Sequence, residues 1–155
     1  MSEAQEDYQL YRARMSEKAT EFEDFVFDLL RKHGLTVNRY VSRKWQYGVG
    51  ECSGGIEVKF DDRMRETDNV YIEVAEKAQP NESRAYSPSG IYRNDNSWLY
   101  VIGDYYTVYV FAKKTLQHLH KSGRYEQKSK PTSLAFVLPK AKAELHAARV
   151  FRGEG

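Results

Sequence analysis

Between Met1 and His33 the chain has no Gly or Pro, and Tyr8, Tyr11, Met15, Phe22, Val26, Leu29 and Leu30 recur at three- and four-residue steps, the spacing of a helix face. Thr20 followed by Glu23 fits a capping box, so the pattern predicts a break near residues 16–20 and a second helix ending at Gly34. From Leu35 the period changes to two. Residues 36–42 read as a strand, and 45–55, with four glycines, as a loop or broken strand. Ile56, Val58 and Phe60 alternate with Glu57, Lys59 and Asp61; Val70, Ile72 and Val74 alternate with Tyr71, Glu73, Ala75 and Lys77. The polar stretch 62–69 between them reads as a hairpin connection. Residues 78–97 are polar, with room for a short helix only. Residues 98–103 and 107–111 predict an apolar hairpin, 113–121 a short helix stopped by Gly123, 124–132 a basic loop and 133–138 a strand. Pro139 is placed to open a terminal helix reaching about Val150.

These elements predict an α/β fold. At 155 residues, 41% of them hydrophobic, the chain suits a single globular domain, with residues 1–19 a helical extension and 113–155 a basic C-terminal part. The lone Cys52 excludes an internal disulfide scaffold. No apolar run approaches the roughly 20 residues of a membrane span, and the acidic, polar start lacks the pattern of a signal peptide. The expectation is a cytoplasmic protein with no membrane partner.

Charge sharpens this picture. Residues 1–33, 34–112 and 113–155 carry net charges of −3, −2 and +7. A basic C-terminal third joined to an acid-rich middle suits a phosphodiester enzyme, which must hold a polyanion and a metal together; a solvated lysine-rich surface gives the same count. Lys113, Lys114, Lys121, Arg124, Lys128 and Lys130 form the candidate phosphate-contacting patch, and Tyr92 with Arg93 could touch bases or phosphates. Trp98, Tyr100, Tyr109 and Phe111 have strand spacing and read as core or sheet surface.

The candidate chemistry lies in the two acid-bearing strands. Paired as an antiparallel hairpin centred on Arg65, they would set Glu57 directly across from Glu73, with Cβ atoms roughly 5 Å apart. Like charges placed so cost stability unless a cation sits between them. Two carboxylates at that spacing suit Mg²⁺ or Mn²⁺. Lys59 and Lys77 share the carboxylate face, where a lysine can orient a nucleophile or stabilise charge at phosphorus. The same residues are also ordinary occupants of a solvated sheet face.

In this order the residues resemble the PD-(D/E)xK nuclease superfamily. Its core, αβββαβ with a mixed central sheet flanked by helices, would cover about residues 20–112. Phe22-Glu23 with Val26, Leu29, Leu30 and Gly34 is similar to the family's first helix, Gly55-Ile56-Glu57 to its second-strand acid, and Ile72-Glu73-Val74 to the start of its third-strand motif. The chain departs from the pattern at Ala75, where the lysine belongs, leaving Lys77 or Lys59 to supply the ammonium. A second alignment takes Glu57-Val58-Lys59 as the literal acid-x-lysine, with Glu51 upstream and Glu73 a third ligand. The resemblance implies an Mg²⁺- or Mn²⁺-dependent endodeoxyribonuclease acting on DNA. Glu57, Glu73 and the Val74 carbonyl would hold the metal, Glu23 would assist, and Lys77 (the narrow preference) or Lys59 would orient water. Its small size suggests a homodimer or structure-selective cutting. Two rival expectations are a nuclease-fold nucleic-acid-binding module without the chemistry, which Ala75 favours, and a protein-interaction domain.

Overall fold

The computed structural model describes residues 2–34, 55–78 and 85–153. The strand expected at 36–42, and the segment containing Glu51 and Cys52, lie outside them. Helix α1 runs unbroken from Glu3 to Lys32. Its capping box is Ser2 with Gln5, and Glu3 and Glu6 in the first turn and Arg31 and Lys32 in the last complement the helix dipole. The break expected near Thr20 does not occur. Nothing there breaks a helix, and the Thr20 hydroxyl donates back to the Ser16 carbonyl at 2.9 Å, inside the helix. Residues 3–19, within the expected helical extension, form the first half of α1 and run on into its second half, with Leu10 and Tyr11 each 58% exposed. The second half buries Phe22, Val26, Phe27 and Leu30, and Gly34 follows with φ +89°, the left-handed conformation that ends helices.

Strand β1 (Ile56–Phe60) leads through a helical turn, α2 (Met64–Thr67), to β2 (Asn69–Glu76). A short β3 (Ser87–Pro88) and a 3₁₀ turn (Gly90–Tyr92) precede β4 (Leu99–Gly103), β5 (Thr107–Ala112), α3 (Lys113–Lys121), β6 (Gln127–Lys130), β7 (Ser133–Pro139), α4 (Lys140–His146) and β8 (Arg149–Arg152).

The strands form two four-stranded sheets, β1-β4-β5-β8 and β3-β2-β7-β6. The first is mixed, since β1 runs parallel to β4 and the other pairs are antiparallel. The second is antiparallel. The expected β1–β2 hairpin is therefore wrong: the two acid-bearing strands belong to different sheets. The cause lies in residues 61–68. The Asp61 carboxylate accepts the amides of Arg63 and Tyr71, a helical turn follows, and Asp68 closes it at φ +60°, turning the chain into the second sheet instead of back along β1.

The β4–β5 hairpin forms as expected, with Asp104 capping its loop through the amides of Tyr106 and Thr107. The basic stretch 124–132 is not all loop, because β6 pairs with β7. The terminal helix stops at His146, and the residues after it supply β8 instead.

Ile56, Val101, Val108 and Val110 on one face of the mixed sheet pack against α1, with Val58 and Phe60 at the margin. On the other face Tyr100, Ile102, Tyr109 and Phe111 meet Val70, Ile72, Phe136 and Leu138 of the second sheet, closed by Leu116 of α3 and Ala143 of α4. The fold is thus mixed α/β with a mixed sheet, but a second sheet, rather than a layer of helices, covers one of that sheet's faces.

Candidate active site

Alternation along β1 sends Ile56, Val58 and Phe60 toward α1, so Glu57 and Lys59 project from the opposite face, beside Tyr100, the register partner of Glu57. There they meet β2. The Lys59 ammonium lies 3.6 Å from Glu57 Oε1 and 3.9 Å from Glu73 Oε2, so one cation is shared by carboxylates from two sheets. The Glu57 side chain is 7% exposed, Glu73 21% and Lys59 38%. The second Glu57 oxygen, Oε2, is buried with no hydrogen-bond partner among the described residues.

Burial pushes the Glu57 carboxyl above the ordinary glutamate value; Asp95 adds to this, while Lys59, Lys113 and Arg93 oppose it. Burial alone pulls the Lys59 ammonium down, but Glu57, Glu73 and Glu76 more than reverse it and hold the lysine above its usual value. The Tyr100 phenol is raised well above its usual value by burial, with the charges of Glu57 and Glu73 adding to it.

Glu73 is held from the segment after β3. Ser89, itself buried, donates its hydroxyl to Glu73 Oε2 at 3.0 Å and its amide to the Val74 carbonyl at 3.1 Å. Gly90 adopts φ +56° against the Glu73 backbone, where a Cβ would stand 2.1 Å from the Glu73 carbonyl oxygen. Any side chain there would push β2 away. The β2–β7 register shifts between Glu73 and Ala75, leaving Val74 at the irregularity. The Val74 carbonyl, expected as a metal ligand, thus already accepts a hydrogen bond from Ser89.

A second polar cluster is built around Asp95. Asp95, 1% exposed, accepts from the amide and hydroxyl of Ser97 and from Lys113 Nζ at 3.2 Å, and lies 3.5 Å from Arg93 Nε. Burial pushes the Asp95 carboxyl up, but Ser97 and Lys113 outweigh it and hold it below its ordinary value.

Of the residues expected to act together, Glu57, Glu73 and Lys59 converge. Lys77 and Glu73 line a space of about 300 Å³ with Arg12, Met15 and Glu76, but the Lys77 ammonium stands 4.3 Å above the Tyr86 ring and is not the cation shared by the acids. Glu23 is half-buried on α1, the helix covering the other face of β1.

The phosphate patch divides. Lys113 is buried and spends its ammonium on Arg93 O, Asp95 and Ser97, so it does not face a phosphate. Lys114, Lys121, Arg124 and Lys128 are exposed, and Lys130 lies 4.2 Å over the ring of Tyr71, which shares a β2 face with Glu73. Tyr92 bonds His120 Nδ1 through its hydroxyl at 2.6 Å, while Arg93 stays exposed. Sequence reasoning missed Ser89, Asp95 and Ser97. Asp95-Asn96-Ser97 carried a local signal as an Asx turn; the reach of Ser89 to Glu73 had none.

The Glu57 and Glu73 carboxylates, with one lysine beside both and one Glu57 oxygen buried without a hydrogen-bond partner among the described residues, supply the hard-oxygen donors that Mg²⁺ or Mn²⁺ takes, and such ions need only one or two protein carboxylates. Among the described residues no group of three or more His, Cys, Asp or Glu gathers to hold a metal. No family model matches the chain, and no curated protein or solved structure matches it. Among the described residues no helix is long and apolar enough to cross a membrane.

Proposed function

We propose that the chain is a divalent-metal-dependent nuclease hydrolysing DNA phosphodiester bonds, with a PD-(D/E)xK-like site read through Glu57-Val58-Lys59 and Glu73. The observation that carries this reading is the Lys59 ammonium 3.6 and 3.9 Å from carboxylates of two different sheets, with one Glu57 oxygen buried and without a hydrogen-bond partner among the described residues. A fold gains little by burying such a cluster for stability alone, because desolvating charge costs several kcal/mol per ion unless every lone pair is satisfied.

Each residue has a role its position supports. Glu57 and Glu73 bind Mg²⁺ or Mn²⁺, which supplies Lewis-acid polarisation of the phosphoryl oxygens. Lys59 positions the attacking water and offsets charge gathering at phosphorus in the transition state. Ser89 and Gly90 fix Glu73. The exposed Lys114, Lys121, Arg124, Lys128 and Lys130 contact the DNA backbone.

The test is cleavage of supercoiled and branched DNA with Mg²⁺, with chelator, and by Glu73→Gln, which removes a charged ligand and keeps its shape. Cleavage should need the metal and vanish in the variant while its circular dichroism stays unchanged. Wild-type rates in Glu73→Gln would overturn the reading. Metal binding without cleavage of any DNA would favour a nucleic-acid-binding module that lost its chemistry.

A further inference from the structure

A cleft of about 560 Å³ opens between the segment before β4 and the start of α3, and the indole of Trp98 stands in its lining 63% exposed to solvent. Its strand spacing suggested core or sheet surface, yet the ring is neither buried nor covered. It is nonetheless fixed. The Trp98 amide donates to Gly55 O and its carbonyl accepts from the Lys113 amide, and the indole lies so close over Gly55 that a Cβ there would come within 2.5 Å of Cδ1.

The remaining lining is polar and carries both kinds of group a nucleotide needs. Arg93 and Lys114 are exposed cations, suited to a phosphate. Asn94 is an exposed amide with a donor and an acceptor, suited to the edge of a base. Below them Asp95, Ser97 and Lys113 bond to one another and make a rigid floor. Trp98 pairs through its amide with Gly55, two residues before Glu57 on β1, and Tyr100 is the register partner of Glu57, so the Trp98 end of the cleft lies one pleat along the sheet from Glu57.

We propose that this cleft holds one unpaired nucleotide, its base stacked on Trp98 and its phosphate near Arg93 and Lys114, next to the bond to be cut. The inference rests on the nuclease reading and narrows its substrate to DNA with an unpaired base at the site: a single strand, a branch or a flipped-out nucleotide. An indole face accepts every base, which gives a preference for unpaired structure without a preference for sequence. A base paired within duplex DNA keeps both faces stacked on its neighbours and cannot reach the ring.

The test is fluorescence anisotropy of a fluorescein-labelled single-stranded oligonucleotide, a fully abasic oligonucleotide of equal length and a blunt duplex, in Ca²⁺ at fixed salt, with wild type, Trp98→Ala and Trp98→Phe. Trp98 is exposed, so both variants should fold, and circular dichroism checks this. The wild type should bind the single strand more tightly than the abasic strand. Trp98→Ala should weaken the single strand by about 5- to 150-fold, the cost of losing one stacked base, and leave the abasic strand unchanged, with Trp98→Phe restoring most of the affinity. Equal affinities for the normal and abasic strands, or an unchanged affinity in Trp98→Ala, would overturn the pocket. Tighter binding of the blunt duplex than of the single strand would overturn it as well. The two readings fail separately. Base-dependent binding without any metal-dependent cleavage keeps the pocket and sinks the nuclease; cleavage with base-independent binding does the reverse.

Discussion

Ser89 donates its hydroxyl to Glu73 Oε2 from a residue 16 positions later in the chain, so the carboxylate on β2 is oriented by the segment that follows β3. Ser89→Ala removes that bond and keeps the backbone clamp on Val74. Stability should fall by about 0.5–1.5 kcal/mol, the net worth of one such bond, because Glu73 is exposed enough for water to replace the hydroxyl. Cleavage should fall further than stability does, and Ser89→Thr, which keeps the hydroxyl, should recover most of it. Urea denaturation beside cleavage rates checks both, and a Ser89→Ala enzyme with unchanged rate would separate Ser89 from the site.

Glu57 is raised above the ordinary value of 4.5 chiefly by burial. A carboxyl whose folded value exceeds its unfolded one contributes stability that is fully present below the unfolded value and is lost as pH rises through the folded value. In the presence of chelator, Glu57→Gln should therefore gain on the wild type as pH climbs from 4.5 upward, with the difference level once the folded carboxyl has ionised. Thermal melts of the two proteins from pH 4 to 8 measure it. Mn²⁺ should reverse the order, stabilising the wild type by about 2.7 kcal/mol at a hundredfold excess over its dissociation constant and leaving Glu57→Gln nearly unmoved.

The lysine closest to both acids is Lys59, while Lys77 rests on Tyr86. Lys59→Met should abolish cleavage and retain Mn²⁺ binding, since the carboxylates remain and one competing cation is gone. Lys77→Met should cut at close to the wild-type rate. Calorimetric Mn²⁺ titration with single-turnover cleavage separates the two steps, and the opposite ranking would return the role to Lys77.

Lys113 and Lys128 carry the same formal charge and opposite expectations. Lys113→Met takes the ammonium from buried Asp95 and leaves it Arg93 and Ser97, and should cost about 1.5–3 kcal/mol of stability, the worth of a hydrogen bond to a charged group, read by denaturant unfolding. Lys128→Met with Lys130→Met should leave stability near wild type and flatten the dependence of log K on log salt by up to about two contacts, each worth a slope of about 0.9 on duplex DNA. An unchanged slope would place the DNA backbone on another face.

Local pattern sufficed wherever an element is decided by neighbours in sequence. The α1 face from Phe22 to Leu30, the β4–β5 hairpin turned by Asp104, α3 and β7 follow from periodicity, turn chemistry and caps. Periodicity also marked Glu57, Lys59 and Glu73 as polar positions on apolar strands, and chain order around them carried the nuclease resemblance. It went wrong where two solutions share one pattern. Strands joined by an eight-residue, mostly polar connection can pair or part, and the alternation of Ile56, Val58 and Phe60 is the same in a hairpin as beside a parallel β4.

What the chain's own order determined is the helical first 33 residues, the strands β1, β2, β4, β5 and β7, the helix α3 and the polar positions on β1 and β2, because those depend on side chains two to four residues apart, whereas β6 and β8 needed their partners β7 and β5. Only the tertiary structure decided that Glu57 and Glu73 meet across two sheets with Lys59 between them, that Ser89 and Gly90 lock Glu73, that Lys113 is buried and that Trp98 is not. Those relations join residues 14 to 18 or more positions apart, through packing that no local period encodes: a strand's alternation says which side chains share a face, and only the partner placed against that face says whether a lysine there meets water, a ring or two acids.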